Sequence, residues 1–190
     1  MAGDLTLFAL LLLLGHLAEA NMCAGIRSTN LAKNRPATQS STASGGVAGR
    51  AVDGSRSSSW RAGSCTHTAS QTNPWWRVDL GSSQCVDSLV VVNRLDCCSE
   101  RLDGFTVHVG DNPDVLKNPT CGGPQSLSRG NVMSIGCGGR TGRYVGISLT
   151  GSSRILTLCE VEVYGGAQGK RMLSLEDKLE SLREDLEKQW

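Results

Sequence analysis

The run Asn93-Arg94-Leu95-Asp96-Cys97-Cys98-Ser99-Glu100-Arg101 gathers more chemistry than any other stretch of this chain. Two cysteines are adjacent, and an arginine stands on each side of them. Neighbouring Cα atoms lie ~3.8 Å apart across a trans peptide, whereas ordinary disulfides want ~4.4–6.8 Å. A bond between Cys97 and Cys98 is therefore a poor staple but a rigid apolar plate. Arginine offers donors only, in a fixed fork. Two forks beside an apolar plate suit a small, rigid, hydroxyl-rich ligand such as a sugar. The competing reading at this point is that the two cysteines bond to separate distant partners while the arginines are solvated.

The elements that must position these residues are set by the rest of the chain. Residues 1–20 read as a secretory signal, with an apolar run at Leu5–Leu14 and an Ala18-Glu19-Ala20 cleavage pattern. Leu5–Leu14 is too short to span a bilayer, so we expect a secreted, extracellular protein with no membrane insertion. The formal charge is +1 and becomes slightly more positive once Asp4 and Glu19 leave with the signal. Such a mild charge gives no ground for a nucleic-acid partner. All eight cysteines follow the cleavage point, which reads as four disulfides. Zinc is disfavoured, because there is no CxxC pair and only His67 and His108 remain as imidazoles.

Val86–Val92, Phe105–Val109, Tyr144–Leu149 and Leu156–Tyr164 are rich in β-branched or aromatic residues and bounded by turn formers. Alternation in Phe105–Val109 turns His108 outward, as an exposed strand histidine. No helical period precedes residue 170. The fold class is all-β, a sandwich. Gly165–Gly169 reads as a small-residue hinge. Beyond it Met172, Leu175, Leu179, Leu182 and Leu186 recur at spacings of 3, 4, 3 and 4, an amphipathic helix with an a/d seam. The expected organisation is thus a signal at 1–20, a domain at 21–166, and a hinge plus coiled-coil helix at 167–190.

Four stretches resemble the F-type lectins, the fucolectins of the eel-agglutinin kind. They are Asn30–Ser41, Ala51-Val52-Asp53-Gly54, the pair Cys65-Thr66-His67-Thr68 and Asn73–Leu80, and Arg94–Arg101. The first and the Trp75-Trp76 region are shared with discoidin-type domains and specify fold. His67 followed by Arg94 and Arg101 around Cys97-Cys98 is specific to fucose binders. The resemblance implies an eight-stranded jelly-roll sandwich that is not an enzyme. It implies that His67, Arg94 and Arg101 bind L-fucose, that Cys97–Cys98 lies against the ring, and that Trp60 lies near the fucose methyl. It also implies a structural Ca2+ held by the carbonyls of Arg50 and Cys159 with Asp53, Ser55, Ser64 and Glu160, oxygen ligands that suit this ion. Cys65 would pair with Cys159 and Cys121 with Cys137. Cys23 and Cys85 are then left for each other, or Cys23 for an interchain bond.

The chain departs from the family at Arg50 and Ser55, where asparagine is common. Leu95 replaces a small residue, and Arg61 stands where a tyrosine often contacts sugars beyond fucose. By the family's habit, the tail would assemble a homo-oligomer, a trimer, around fucosylated glycans in innate recognition. Two other classes were weighed. A discoidin-type adhesion or membrane- or protein-binding domain would lack the His67/Arg94/Arg101 set. A glycosidase would need two carboxylates across a cleft; Asp96 and Glu100 qualify by type, but Asp96 sits where it would orient an arginine, and no catalytic residue is expected. Trp75-Trp76 reads as core packing.

Overall fold

The computed structural model describes residues 23–27, 29–127 and 130–168. Its strands are β1 (Cys23–Arg27), β2 (Ala37–Gln39), β3 (Trp75–Val92), β4 (Phe105–Gly110), β5 (Val132–Leu149) and β6 (Glu160–Gln168). Every pairing is antiparallel, in the order β1-β6-β3-β5-β4, with β2 added to β3. The fold is all-β, and among the described residues the helical turns are short 3-10 segments.

Among the described residues six strands are assigned, where the resemblance implies eight. The reason lies in β3 and β5, each eighteen residues long. Their mutual register breaks between Asp79 and Gln84. Gly81 turns the chain there with φ +89°, a value that L side chains avoid, and its N–H donates to Asp79 Oδ1 at 2.8 Å. Before the break β3 carries β2 on its outer edge, and after it β3 carries β6. One bent strand thus serves two sets of neighbours.

Alternation along β3 buries Trp76, Val78 and Leu80, and along β4 it buries Phe105, Val107 and Val109. Burial of such side chains contributes roughly 1.5–3 kcal/mol each. Trp76 is fully buried, and its indole N–H donates to Ala48 O at 3.0 Å, so no donor is stranded in the core. Trp75, its neighbour, is half-buried and lies against Arg77 instead.

Three sequence expectations need correction. His108 is buried, not exposed. The segment around Val115–Lys117 lies over the outer face of β4, so alternation no longer means exposure. The His108 Nδ1 donates to Asn118 O at 3.2 Å, and Nε2 accepts from Ser148 Oγ at 2.9 Å. Gly165–Gly169 is not a hinge, at least through Gln168: it continues β6 and pairs with β1. Smallness there serves packing, since a Cβ on Gly165 would lie 1.9 Å from Cys85 O. Leu156–Cys159 is not strand, for its N–H groups turn to threonine hydroxyls, Leu156 to Thr68 Oγ1 and Leu158 to Thr66 Oγ1. The signal at 1–20 and the helix of 170–190 fall outside the described residues.

Four disulfides close the structure: Cys23–Cys85, Cys65–Cys159, Cys97–Cys98 and Cys121–Cys137. Cys65–Cys159 ties the loop before β3 to the start of β6. Around it, Thr66 N–H donates to Leu158 O at 2.7 Å and Cys159 N–H to Val92 O at 2.9 Å. The loops at 53–68, 93–102 and 156–159 are therefore one connected end of the molecule.

Candidate functional site

Asn93 sets the site loop. It is fully buried at the end of β3, and its side-chain amide donates to Ser99 O at 2.9 Å and Leu127 O at 3.0 Å. Its Oδ1 accepts from Arg94 N–H at 2.8 Å. One side chain thus satisfies both ends of the loop that carries the arginines. Leu95 N–H donates to Ser58 O at 2.9 Å and pins this loop to the 55–62 segment. From the other side, Arg154 donates to Arg101 O at 3.3 Å and Asp103 O at 2.5 Å. Asn93 and Arg154 hold the site without being predicted to; Asn93 opens the diagnostic run, whereas Arg154 carries no sequence signal.

Within this frame the expected sugar-site residues converge. Arg94 lies 2.7 Å from Asp96 through Nε and 3.4 Å through Nη2. This pairing holds the Asp96 carboxyl below its usual range, and the Trp60 backbone N–H adds to the effect. The Arg94 guanidinium sits 5.2 Å from the Trp60 ring centroid, a cation–π contact. Trp60 meets His67 edge-on at 5.6 Å. Arg101 Nη1 lies 3.3 Å from His67 Nε2. Cys97 and Cys98, bonded to each other, are half-buried on the intervening turn. Cys98 adopts φ +59° there, a conformation uncommon outside glycine.

The tautomer of His67 follows from its neighbours. Nδ1 lies 2.7 Å from Thr68 O, and a carbonyl only accepts, so Nδ1 carries the hydrogen. Nε2 is then an acceptor facing Arg101. Burial, reinforced by the charges of Arg101 and Arg94, holds the imidazole pKa below its ordinary value. Near neutral pH the ring is uncharged and keeps that acceptor.

Of the implied metal residues, Asp53 and Glu160 lie close enough for their charges to interact. Asp53 and Gly54 follow the 3-10 turn Ala48–Val52. Gly54 N–H donates to Glu160 Oε1 at 3.0 Å, while Glu160 Oε2 is buried and has no hydrogen-bond partner. Burial, then the Asp53 charge, pushes the Glu160 pKa up to about 8. Ser64 is buried, its hydroxyl donating to Ser57 O at 2.7 Å, which leaves lone pairs free. Ser55 is exposed, and its hydroxyl accepts from Ser57 N–H at 3.4 Å. The Arg50 side chain points elsewhere, its guanidinium 5.3 Å from the Trp60 centroid. No group of three or more His, Cys, Asp or Glu forms among the described residues, so a cation here would need carbonyl and hydroxyl oxygens as well.

Residues 50–147 match the family model described as NedA-like, galactose-binding domain. The chain is 38% identical over 147 residues to a fucolectin of Anguilla anguilla, covering 73% of this chain and 92% of that one. Among solved structures, the fucolectin from the serum of striped bass, Morone saxatilis, superposes with a TM-score of 0.73 at 40% identity, over 77% of this chain and 50% of that chain. A fucose binding module of Streptococcus pneumoniae gives 0.66 at 34% identity, over 72% and 95% respectively. Fold, loop architecture and these likenesses converge: the chain belongs to the F-type lectin, or fucolectin, family.

Proposed function

We propose that this protein is a lectin that binds terminal L-fucose on glycans through His67, Arg94 and Arg101. The observation that carries the reading is one acceptor set between two donors: neutral His67 Nε2, with Arg101 at 3.3 Å and Arg94 across the Trp60 ring. A sugar hydroxyl both donates and accepts. Arginine supplies donors, and the imidazole supplies the acceptor that arginine lacks. Cys97–Cys98 and Trp60 offer apolar surface for the C–H edges and methyl of the ring. Asp96 pre-positions Arg94 and is itself fully engaged. Glu100 therefore has no free carboxylate opposite it, which supports binding rather than glycoside hydrolysis.

A calcium ion fits the second cluster. A buried acid with a spare oxygen stands beside another carboxylate, the cation acting on it, Arg56, is paired with Glu162, and the donors are all oxygen. Asp53, Ser64 and Glu160 would hold the ion, with Ser55 and the carbonyls of Arg50 and Cys159 completing the set. It would neutralise Glu160 and stiffen the loop that joins Asp53 to the Trp60 turn. We further read the bent halves of β3 and β5 as separate strands of a jelly roll. The chain is secreted in this reading, serves innate recognition, and assembles as a homo-oligomer, a trimer, through Lys170–Trp190. Single sugar sites bind weakly, and linking them raises avidity by ~10²–10⁴.

Retention of the purified chain on fucose-agarose, with elution by free L-fucose, tests the reading. Passage through the column unretained would return the protein to discoidin-type adhesion.

A further inference from the structure

Charge around Trp60 is unbalanced. The Arg50 guanidinium lies 5.3 Å and that of Arg94 5.2 Å from its ring centroid. Arg61, the next residue in the Trp60–Ala62 turn, is exposed, and Arg101 reaches His67 close by. Among the described residues only Arg94 of these four has a carboxylate partner, Asp96. Arg50 is occupied by the Cys65 carbonyl at 3.3 Å and by the indole, neither of which cancels its charge. The other acid of the site loop is Glu100, exposed beyond Cys98.

Arg61 is also close to the sugar groups by construction. The Trp60 ring lies 5.2 Å from the Arg94 guanidinium, which the Asp96 carboxylate holds at 2.7 Å. Arg61 Cα is one peptide, ~3.8 Å, from that of Trp60. Its fork is free to take two oxygens of one anion at once.

We propose that Arg61, supported by the field of Arg50, forms an anion subsite beside the sugar site. The preferred ligand is then a fucosylated glycan that carries a sulfate ester or a carboxylate on the sugar next to fucose. This inference rests on the fucose reading, and it adds a specificity that the three sugar-contacting residues do not provide. An exposed arginine–anion pair of good geometry strengthens binding by roughly two- to fivefold, because water screens it. The gain must shrink with added salt, as the Debye length falls from ~10 Å at 0.1 M to ~3 Å at 1 M.

Calorimetric titration of the whole protein decides the matter. The ligands are a neutral fucosylated trisaccharide, the same trisaccharide with a sulfate ester on its galactose, and the same with a sialic acid there. At low salt the wild type should bind one or both anionic forms roughly two- to fivefold more tightly than the neutral form. A gain confined to one names the anion. Arg61→Gln should bring all forms within twofold while leaving the neutral ligand unchanged. Equal affinities in the wild type, with fucose still bound, would overturn the subsite alone, as would a preference that survives Arg61→Gln. Failure of the wild type to bind any of the three would overturn the fucose reading itself.

Discussion

The sugar-site loop and the Asp53/Glu160 pocket face opposite problems. Around Trp60 the surplus is in donors: Arg50, Arg61, Arg94 and Arg101, of which among the described residues only Arg94 is ion-paired, have hydrogens to give. In the pocket the surplus is an acceptor, Glu160 Oε2, buried and unpartnered. Two ion pairs elsewhere are closed off, although Arg140 Nε is also buried without a partner. Arg56 pairs bidentately with Glu162, which also accepts from Tyr164 Oη at 2.8 Å, and Arg143 pairs with Asp79 at 2.8 Å. In the reading proposed above, the sign of the unmet capacity selects the ligand: oxygens of a sugar in one place, a cation in the other.

Breaking the frame should have the largest effect. Asn93→Ala removes the amide that satisfies Ser99 O and Leu127 O. Buried groups left unsatisfied cost about 1–3 kcal/mol each, so stability in urea should fall by roughly 2–4 kcal/mol, with fucose binding lost. An unchanged unfolding midpoint would mean that the loop is held by other contacts. Calcium comes next. An ion that binds only the folded state adds about 2.7 kcal/mol at one hundred times its Kd. Chelation should therefore lower the melting temperature of the wild type. Glu160→Gln should melt at the same temperature with and without the ion. A wild-type melting curve indifferent to calcium would separate the two clusters and leave Glu160 Oε2 unexplained.

A subtler effect is expected from pH. The His67 pKa is lowered in the folded protein, while the unfolded chain titrates near ~6.5. The unfolded state therefore takes up its proton first. The stability tied to the neutral ring is complete above ~6.5. It declines as pH falls from there, until the lower folded value has been passed. Fucose affinity follows the folded value, because only the neutral ring accepts. It should hold at pH 6.5 and fall below it, as read by calorimetry between pH 5 and 8. Affinity already halved above pH 6.5 would show that His67 is not the acceptor.

Much of this was legible because disulfide and donor chemistry is written locally. The run of adjacent cysteines flanked by arginines left two readings open, of which the structure has the vicinal disulfide, and it was the family resemblance that joined His67 to it. The β periods of Phe105–Val109 and Val86–Val92 likewise place the core. What sequence could not show depends on cover and close approach. His108 alternates outward but is roofed by the Val115–Lys117 turn, a long-range contact with no local signature. Gly165 looks like flexibility and is instead the point where β6 presses on Cys85 O. Arg154 braces the site from a different loop altogether. Strand count turns on a related ambiguity: a bend such as that at Gly81 does not state whether the strand continues beyond it.

The central claim is that His67, Arg94 and Arg101 together bind fucose. Its most direct test is titration of L-fucose into the wild type, Arg94→Ala and Arg101→Ala, each checked for native circular dichroism and calcium-dependent melting. Hydrogen bonds to charged donors are worth roughly 1.5–3 kcal/mol, so each substitution should weaken binding at least about tenfold. Fucose bound equally by all three folded proteins would contradict the account.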